Sequence, residues 1–333
     1  MITLVEVESY DLTWRLDPAA EGVRNRTTLR FRGEPGPVEV CGDLLAPPRR
    51  EPGALRVEAL LPYTGLGFRR VTDPADGQVY LCTTTHPHGA PQVVPHFAGR
   101  PQRAPATVAA VVPASWKCLA NGLPVVAEGE VRTFAPTAPV SPAWLSVAAG
   151  PFVEVAGAVH VPRSAAGTPV ADRVADLVAR AIAFFSDLLV SHPYPKCELV
   201  FVPGLRSLAL STQGLVLVDL GALERFADPR HAVTAIGHEV AHAWSGNLVD
   251  GDPWLVEGLA VYLSRLFAET EFPGGVWDDP PPPDRPYRPH LDRVLAVEAR
   301  IGRDALLRGL RAVFTDFAHG HAAAAEFEAR WAA

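Results

Sequence analysis

The stretch His238-Glu239-Val240-Ala241-His242-Ala243-Trp244-Ser245-Gly246-Asn247-Leu248-Val249, continued by Trp254-Leu255-Val256-Glu257-Gly258, decides how the rest of the chain reads. On an α-helix, residues four apart differ by about 40° in direction and about 6 Å in rise. The imidazoles of His238 and His242 therefore leave one face and can grip a single ion. Glu239 stands about 100° further round, beside that ion rather than on it. That is where a general base must be to take a proton from water activated by a metal.

A turn from Gly246 to Pro253 leads to a second helix, whose start is read as Asp252 at the N-cap with Pro253 behind it. Glu257 is the only charge in the run Trp254–Leu263. Burying a lone carboxylate on so apolar a helix costs several kcal/mol unless it is paired or bound to a metal. Two histidines and a glutamate form the ligand type of catalytic zinc, which keeps a fourth position open for water. An exposed or arginine-paired Glu257 is the bland alternative.

Working outward, the 157 residues at the N-terminal side are short alternating segments broken by Gly and Pro, such as Thr27–Phe31, Leu55–Leu60 and Val108–Val112. They predict an antiparallel β-domain, a sandwich or saddle-like sheet, over residues 1–157. The residues Val170 to Val190 follow, with Thr168 as N-cap, Pro169 at the first helical position and apolar side chains at 170, 174, 177, 178, 182 and 185. This is an amphipathic helix. Buried-strand patterns at Cys197–Val202 and Gly214–Leu220 precede helical runs from His231 onward. The fold class expected is α+β, with a second domain over 158–333. Asp278 to Pro289 reads as a stiff polyproline spacer.

Composition narrows the function. Of 333 residues, 48% are hydrophobic and 20% charged, outside the signature of disorder. The net charge of −7, with 28 arginines and only two lysines, argues against nucleic acid. No stretch approaches the 18 or so apolar residues of a membrane span, and the opening MITLVEVESYDLTW lacks a basic region and reads as a strand. Four separated cysteines, Cys41, Cys82, Cys118 and Cys197, form no CxxC and predict free thiols in a cytoplasmic protein.

The motif HEVAHAWSGNLV followed by WLVEG resembles the HExxH…WLNEG signature of the aminopeptidase N family of gluzincins. The resemblance extends to LLPYTGLGFRRVTDPADGQVYL (Leu60–Leu81), HPYPKCELVFVPG (His192–Gly204) and IGRDALLRGLRAVF (Ile301–Phe314). It implies a thermolysin-like catalytic domain with one zinc on His238, His242 and Glu257, and Glu239 as general base. It also implies Tyr287 as the residue stabilising the tetrahedral intermediate, although PYRPH lacks the family's EKG and a loop or core tyrosine is the other reading. The substrate would be a peptide or small-molecule amide.

The pattern also breaks. Between His242 and Glu257 lie 14 residues, where the family has 18. The family's GAMEN strand, whose Glu binds the substrate's α-ammonium, aligns with Leu208 to Thr212, so the substrate-binding candidates are Leu210, Ser211 and Thr212, and Ser211 stands in place of the carboxylate. Thr84 stands where the family has an amine-contacting Gln. A close ion pair at an effective dielectric near 20 is worth up to about 4 kcal/mol before desolvation, so a free amino terminus need no longer be the recognised feature. The family's C-terminal helical domain has no counterpart in these residues, which predicts an open cleft, or one covered by a second copy or a partner. Three functions stay open: a peptidase or amidase, a zinc enzyme retargeted to an ester, epoxide or biosynthetic intermediate, and a non-catalytic zinc-stabilised module. A second metal site at His86, His88 and His96, or at His319 and His321, is disfavoured, because loop histidines are usually plain polar residues.

Overall fold

The computed structural model describes residues 5–85, 89–99, 102–274 and 287–331. Strands and helices segregate along the chain as an α+β protein. The backbone divides into two compact units: residues 1–155, 160–166 and 198–220 form one, and 156–159, 167–197 and 221–333 the other. Residues 198–220 thus group with the N-terminal β-rich part, across the boundary read near residue 157.

The reason lies in how the first unit is layered. Its eight-stranded sheet runs Pro124–Glu128, Val131–Phe134, Ala106–Val111, Glu6–Arg15, Gly22–Arg32, Ala54–Pro62 and Asp43–Leu44, with Arg49–Glu51 also on the Ala54–Pro62 strand. A four-stranded sheet, Lys117–Ala120, Val147–Gly150, Val79–Thr84 and Gly67–Thr72, has both faces covered. Leu81, Ala120, Val147 and Ala149 enter one core with Tyr10, Trp14 and Leu55. Tyr80, Cys82, Leu119 and Ala148 enter a second core, with Val200, Val202, Leu215 and Leu217. A strand buried on both faces reads as a continuous apolar run, which is why VYLC shows no alternation. Val200 and Val202 belong to a five-stranded sheet, Phe152–Val155, Val159–Pro162, Glu198–Val202, Leu215–Asp219 and Ala209–Thr212.

The N-terminal part is not wholly antiparallel. Glu6–Arg15 pairs antiparallel with Gly22–Arg32 but parallel with Ala106–Val111. The first strand can take a parallel neighbour because that neighbour arrives from some ninety residues downstream, leaving ample chain for a crossover. A register shift between Val7 and Ser9 marks a bulge. It explains why Val7 and Tyr10, three apart, both point inward, whereas Tyr10, Leu12 and Trp14 keep the two-residue period.

In the second unit the helices are α1 (Pro169–Leu188), α2 (Ala222–Arg225), α3 (Pro229–Ala241), α4 (Leu259–Glu271), α5 (Arg288–Ile301), α6 (Arg303–Asp316) and α7 (Ala324–Trp331). Thr168 and Pro169 open α1 as expected, and its buried stripe runs through Ala171, Val174, Val178, Ala181 and Phe185. α3, α4 and α1 pack through aromatic rings: Phe185 lies 5.8 Å from Trp244 and 6.0 Å from Phe267, centroid to centroid. Gly237, next to His238, lets α4 approach closely, since a Cβ there would come within 3.0 Å of the Phe267 ring. Residues 320–322, holding His321, pair in parallel with Val249–Gly251. Of the spacer expected at Asp278–Pro289, residues 278–286 lie outside the described residues, and Arg288 and Pro289 already open α5.

The second unit also carries a titration signature. The Nδ1–H of His192 donates to the Tyr194 carbonyl at 2.8 Å, and its Nε2 is buried without a hydrogen-bond partner. Burial holds the imidazole below the usual histidine range, against the pull of that carbonyl. The unfolded chain therefore takes up this proton near pH 6.5 and the folded chain only at lower pH. The resulting stability is full above about 6.5 and declines as the pH falls. Proton NMR of the His192 ring is expected to show a midpoint below 6.5; a midpoint at or above it would contradict the assignment.

Candidate metal centre

Helix α3 starts where Asp228 caps it, its side chain accepting from the Arg230 N–H at 3.0 Å, and ends on the HExxH turn. His238 and His242, four apart, present Nε2 atoms 3.1 Å from each other. Glu257 brings Oε2 to 3.6 Å from both. A triangle with these three sides has a centre about 2.0 Å from each corner, the length of a zinc–nitrogen or zinc–oxygen bond. These three side chains are the one group among the described residues that converges on a metal position.

The donors are prepared for an ion. A carbonyl can only accept, so the 2.9 Å contact of His242 Nδ1 with the Ser245 carbonyl puts the proton on Nδ1 and turns the Nε2 lone pair inward. Glu257 Oε2 is buried and has no hydrogen-bond partner, a state that a cation between it and the two imidazoles relieves. Although burial alone pushes the Glu257 carboxyl up, the two histidines hold it well below the usual carboxylate range. His242, which burial alone would lower, is lifted to about 9 by the Glu257 charge. Without an ion, a proton on His242 thus answers the Glu257 charge, and a bound cation would take that proton's place.

Glu257 arrives differently from the sequence reading. Trp254–Gly258 is a π-helical turn that passes into α4. Asp252 does not cap it with its side chain: its backbone carbonyl accepts the N–H groups of both Leu255 and Val256, and Pro253 occupies the cap position. The Leu255 and Val256 amides are thus met by main chain rather than by the Asp252 carboxylate. Single π turns inside helices are frequent at functional sites. This one aims Glu257 at α3.

Glu239 lies on α3 beside the ligands. Burial raises its carboxyl above the usual range, opposed by His238 and His242. Tyr287 stands at the N-cap of α5 with its ring centroid 5.8 Å from that of His238. Burial, together with the negative charge of Glu257 and Glu239, pushes its hydroxyl up to about 12, so it remains a proton donor at neutral pH. Gly258 makes this placement possible. A Cβ there would sit 2.6 Å from the His290 carbonyl, so only glycine lets the first turn of α5 rest on the π turn.

The remaining sequence candidates belong to the first unit. Leu210, Ser211 and Thr212 lie on Ala209–Thr212, the edge strand of the five-stranded sheet, opposite Leu217, Val216 and Leu215. The Thr212 hydroxyl donates to the Leu215 carbonyl at 2.7 Å and accepts from Asn121 Nδ2 at 3.1 Å. Leu210 packs against the second core, and the Thr84 hydroxyl donates to the Gly65 carbonyl at 3.4 Å. His96 is buried with Nδ1 on the Val94 carbonyl, and His86 and His88 lie outside the described residues. Sequence reasoning missed Ser245 and Gly258. Their roles come from contacts to Val256 and to His290, which no local periodicity signals.

An HExxH helix with a glutamate of the following helical turn converging on the same point is the arrangement of a metallopeptidase-like domain. Residues 174–282 match the peptidase family M1 domain. The chain is similar to aminopeptidase N of Streptomyces lividans, 27% identical over 326 residues, covering 83% of this chain and 38% of that protein. It is also similar to the puromycin-sensitive aminopeptidase of Caenorhabditis elegans, 33% identical over 29% of this chain and 12% of that one. Aminopeptidase Q of Felis catus is 26% identical, over 64% of this chain and 25% of its own length. In these matches the chain is similar to the aminopeptidase N family. It spans well under half the length of these curated relatives. No described helix is long and apolar enough to cross a membrane.

Proposed function

We propose that the protein is a zinc-dependent hydrolase of amide or peptide bonds, of the aminopeptidase N type, whose recognition of the substrate amino terminus is altered. The observation that carries this reading is the convergence of His238, His242 and Glu257 on one point with Glu239 beside them on the same helix. A purely structural site has no use for such a base. Zinc, held by those three side chains, would supply a Lewis acid that polarises the scissile carbonyl and lowers the pKa of water. Glu239 takes the proton from the attacking water and passes it to the leaving amine. Its raised carboxyl pKa suits that exchange. Tyr287 donates its hydroxyl proton in a hydrogen bond to the developing oxyanion, and Tyr287→Phe is expected to lower kcat by about 10²-fold or more with KM little changed.

Ser211 where the family has a carboxylate, and Thr84 where it has an amide, support a substrate not selected by a free α-amine. The edge position of Ala209–Thr212 is one at which an extended peptide can add as a further strand. The four separated cysteines, with no CxxC among them, fit a reducing compartment such as the cytoplasm. A second copy or a partner covering the site remains part of the proposal.

The test is hydrolysis by the zinc-loaded protein of two matched aminoacyl anilides, one with a free α-amine and one N-acetylated. Equal or reversed preference bears the proposal out, and strong preference for the free amine overturns the altered recognition. Failure on both, with zinc bound, replaces amide hydrolysis by the second reading, a dedicated ester, epoxide or biosynthetic intermediate.

A further inference from the structure

The two metal-binding elements are joined by a tight hook, residues 243–253, and the hook is tied at one residue. Ser245 is 1% exposed. Its carbonyl accepts from His242 Nδ1 at 2.9 Å, and its hydroxyl donates to the Val256 carbonyl at 2.9 Å. Val256 immediately precedes Glu257 in the π turn. Both distances are those of well-formed hydrogen bonds. The backbone of this one buried residue thus reaches His242, and its hydroxyl reaches Val256, eleven residues on and next to Glu257.

The neighbouring backbone reinforces the tie. Gly246 has φ +106°, and a Cβ there would meet Val256 Cγ1 at 3.0 Å and His242 Nδ1 at 3.6 Å. A side chain there would be strained by that backbone conformation and would crowd Val256. The His242 carbonyl accepts the Asn247 N–H, and Gly246 N–H donates to Val249, so the hook closes on itself and leaves Ser245 facing the π turn. With only 14 residues between His242 and Glu257, a small rotation of either element would carry Oε2 away from the two Nε2 atoms. Hydrogen-bonding partners behind a metal ligand set its orientation, and removing one costs about 10–100-fold in metal affinity.

We infer that Ser245 is a positioning residue of the metal centre: its carbonyl orients His242 while its hydroxyl holds the π turn that delivers Glu257. This inference rests on the reading of the centre as a zinc site. It assigns the hydroxyl a role beyond filling space in the fold, and that role is separable from stability. Ser264 provides the comparison. It is equally buried, but its hydroxyl donates to the Val261 carbonyl at 2.9 Å, within its own helix α4.

The experiment is equilibrium competition for zinc between a chelator and the wild-type, Ser245→Ala and Ser264→Ala proteins, with thermal midpoints of the metal-free forms measured alongside. Ser245→Ala is expected to weaken zinc binding about 10–100-fold, and Ser264→Ala to leave it within about threefold. Should Ser245→Ala fail to fold, Ser245→Cys, close in size but a weak donor, is measured against the same expectation. Unchanged affinity at position 245, or an equal loss in Ser264→Ala, overturns the inference. A wild-type protein that takes up no zinc overturns the zinc reading itself, and so the two failures are distinct.

Discussion

Glu239→Gln is expected to reduce turnover by about 10²–10⁴-fold while one zinc remains bound. The substitution keeps the size and polarity of the side chain but removes its capacity to accept a proton. Glu239 is not one of the three converging donors, so the ligand set is left whole. Burial raises its carboxyl above the usual range, which brings the acid and its conjugate base nearer to balance at neutral pH. A carboxamide has no such equilibrium. Metal content by atomic absorption, read together with the anilide assay, separates the two possibilities. Lost turnover with full zinc identifies the base, and retained turnover removes Glu239 from the mechanism.

Trp244→Ala is expected to destabilise the second unit by about 3–5 kcal/mol, the range for truncating a buried large aromatic. Trp244 has no exposed surface, and its ring meets Phe185 at 5.8 Å and His192 at 5.4 Å in edge-on contacts. Its Nε1–H donates to the Val190 carbonyl at 2.9 Å, which the alanine variant would leave unpaired. Set against a total stability of about 5–15 kcal/mol, such a loss is large. The residue also opens the hook behind His242, with its carbonyl accepting from Val249 N–H. Zinc affinity should therefore fall with stability. Urea midpoints at constant m measure the effect, and Trp244→Phe, which keeps most of the ring but loses the donor, should lie between. A change below about 1 kcal/mol, the scale of a surface substitution, would contradict this account.

The metal centre was legible where its geometry is local. His238 and His242 sit four apart on one helix, and the rise and twist of that helix already dictate that their rings share a face. Glu257 was legible for a different reason, because a single charge in an apolar run needs a partner. Tyr287 was reached only through the family resemblance, and its neighbourhood to His238 follows from Gly258, which lets α5 rest on the π turn. At Asp252 the Leu255 and Val256 amides go to the backbone carbonyl, and nothing in the Asp-Pro pair distinguishes that from a side-chain cap.

Likewise for the fold. The helix after Thr168 and the strand at Glu198–Val202 follow from apolar period and length, which depend on neighbours a few residues away. The two-sided burial of Val79–Thr84 and the parallel pairing of Glu6–Arg15 with Ala106–Val111 do not. Many strands of similar composition compete for each place in a sheet, and the choice among them rests on contacts far apart in sequence. By itself, then, the sequence determined the α+β class, the HExxH helix and Glu257 as the third member of the converging group, since each is written in short-range spacing and chemistry. Only the tertiary structure decided the layering of the first unit, the π turn that aims Glu257 and the hydroxyl of Ser245 that ties it to His242. Those depend on which distant segments close on one another, a free-energy balance over the whole chain that no local pattern records.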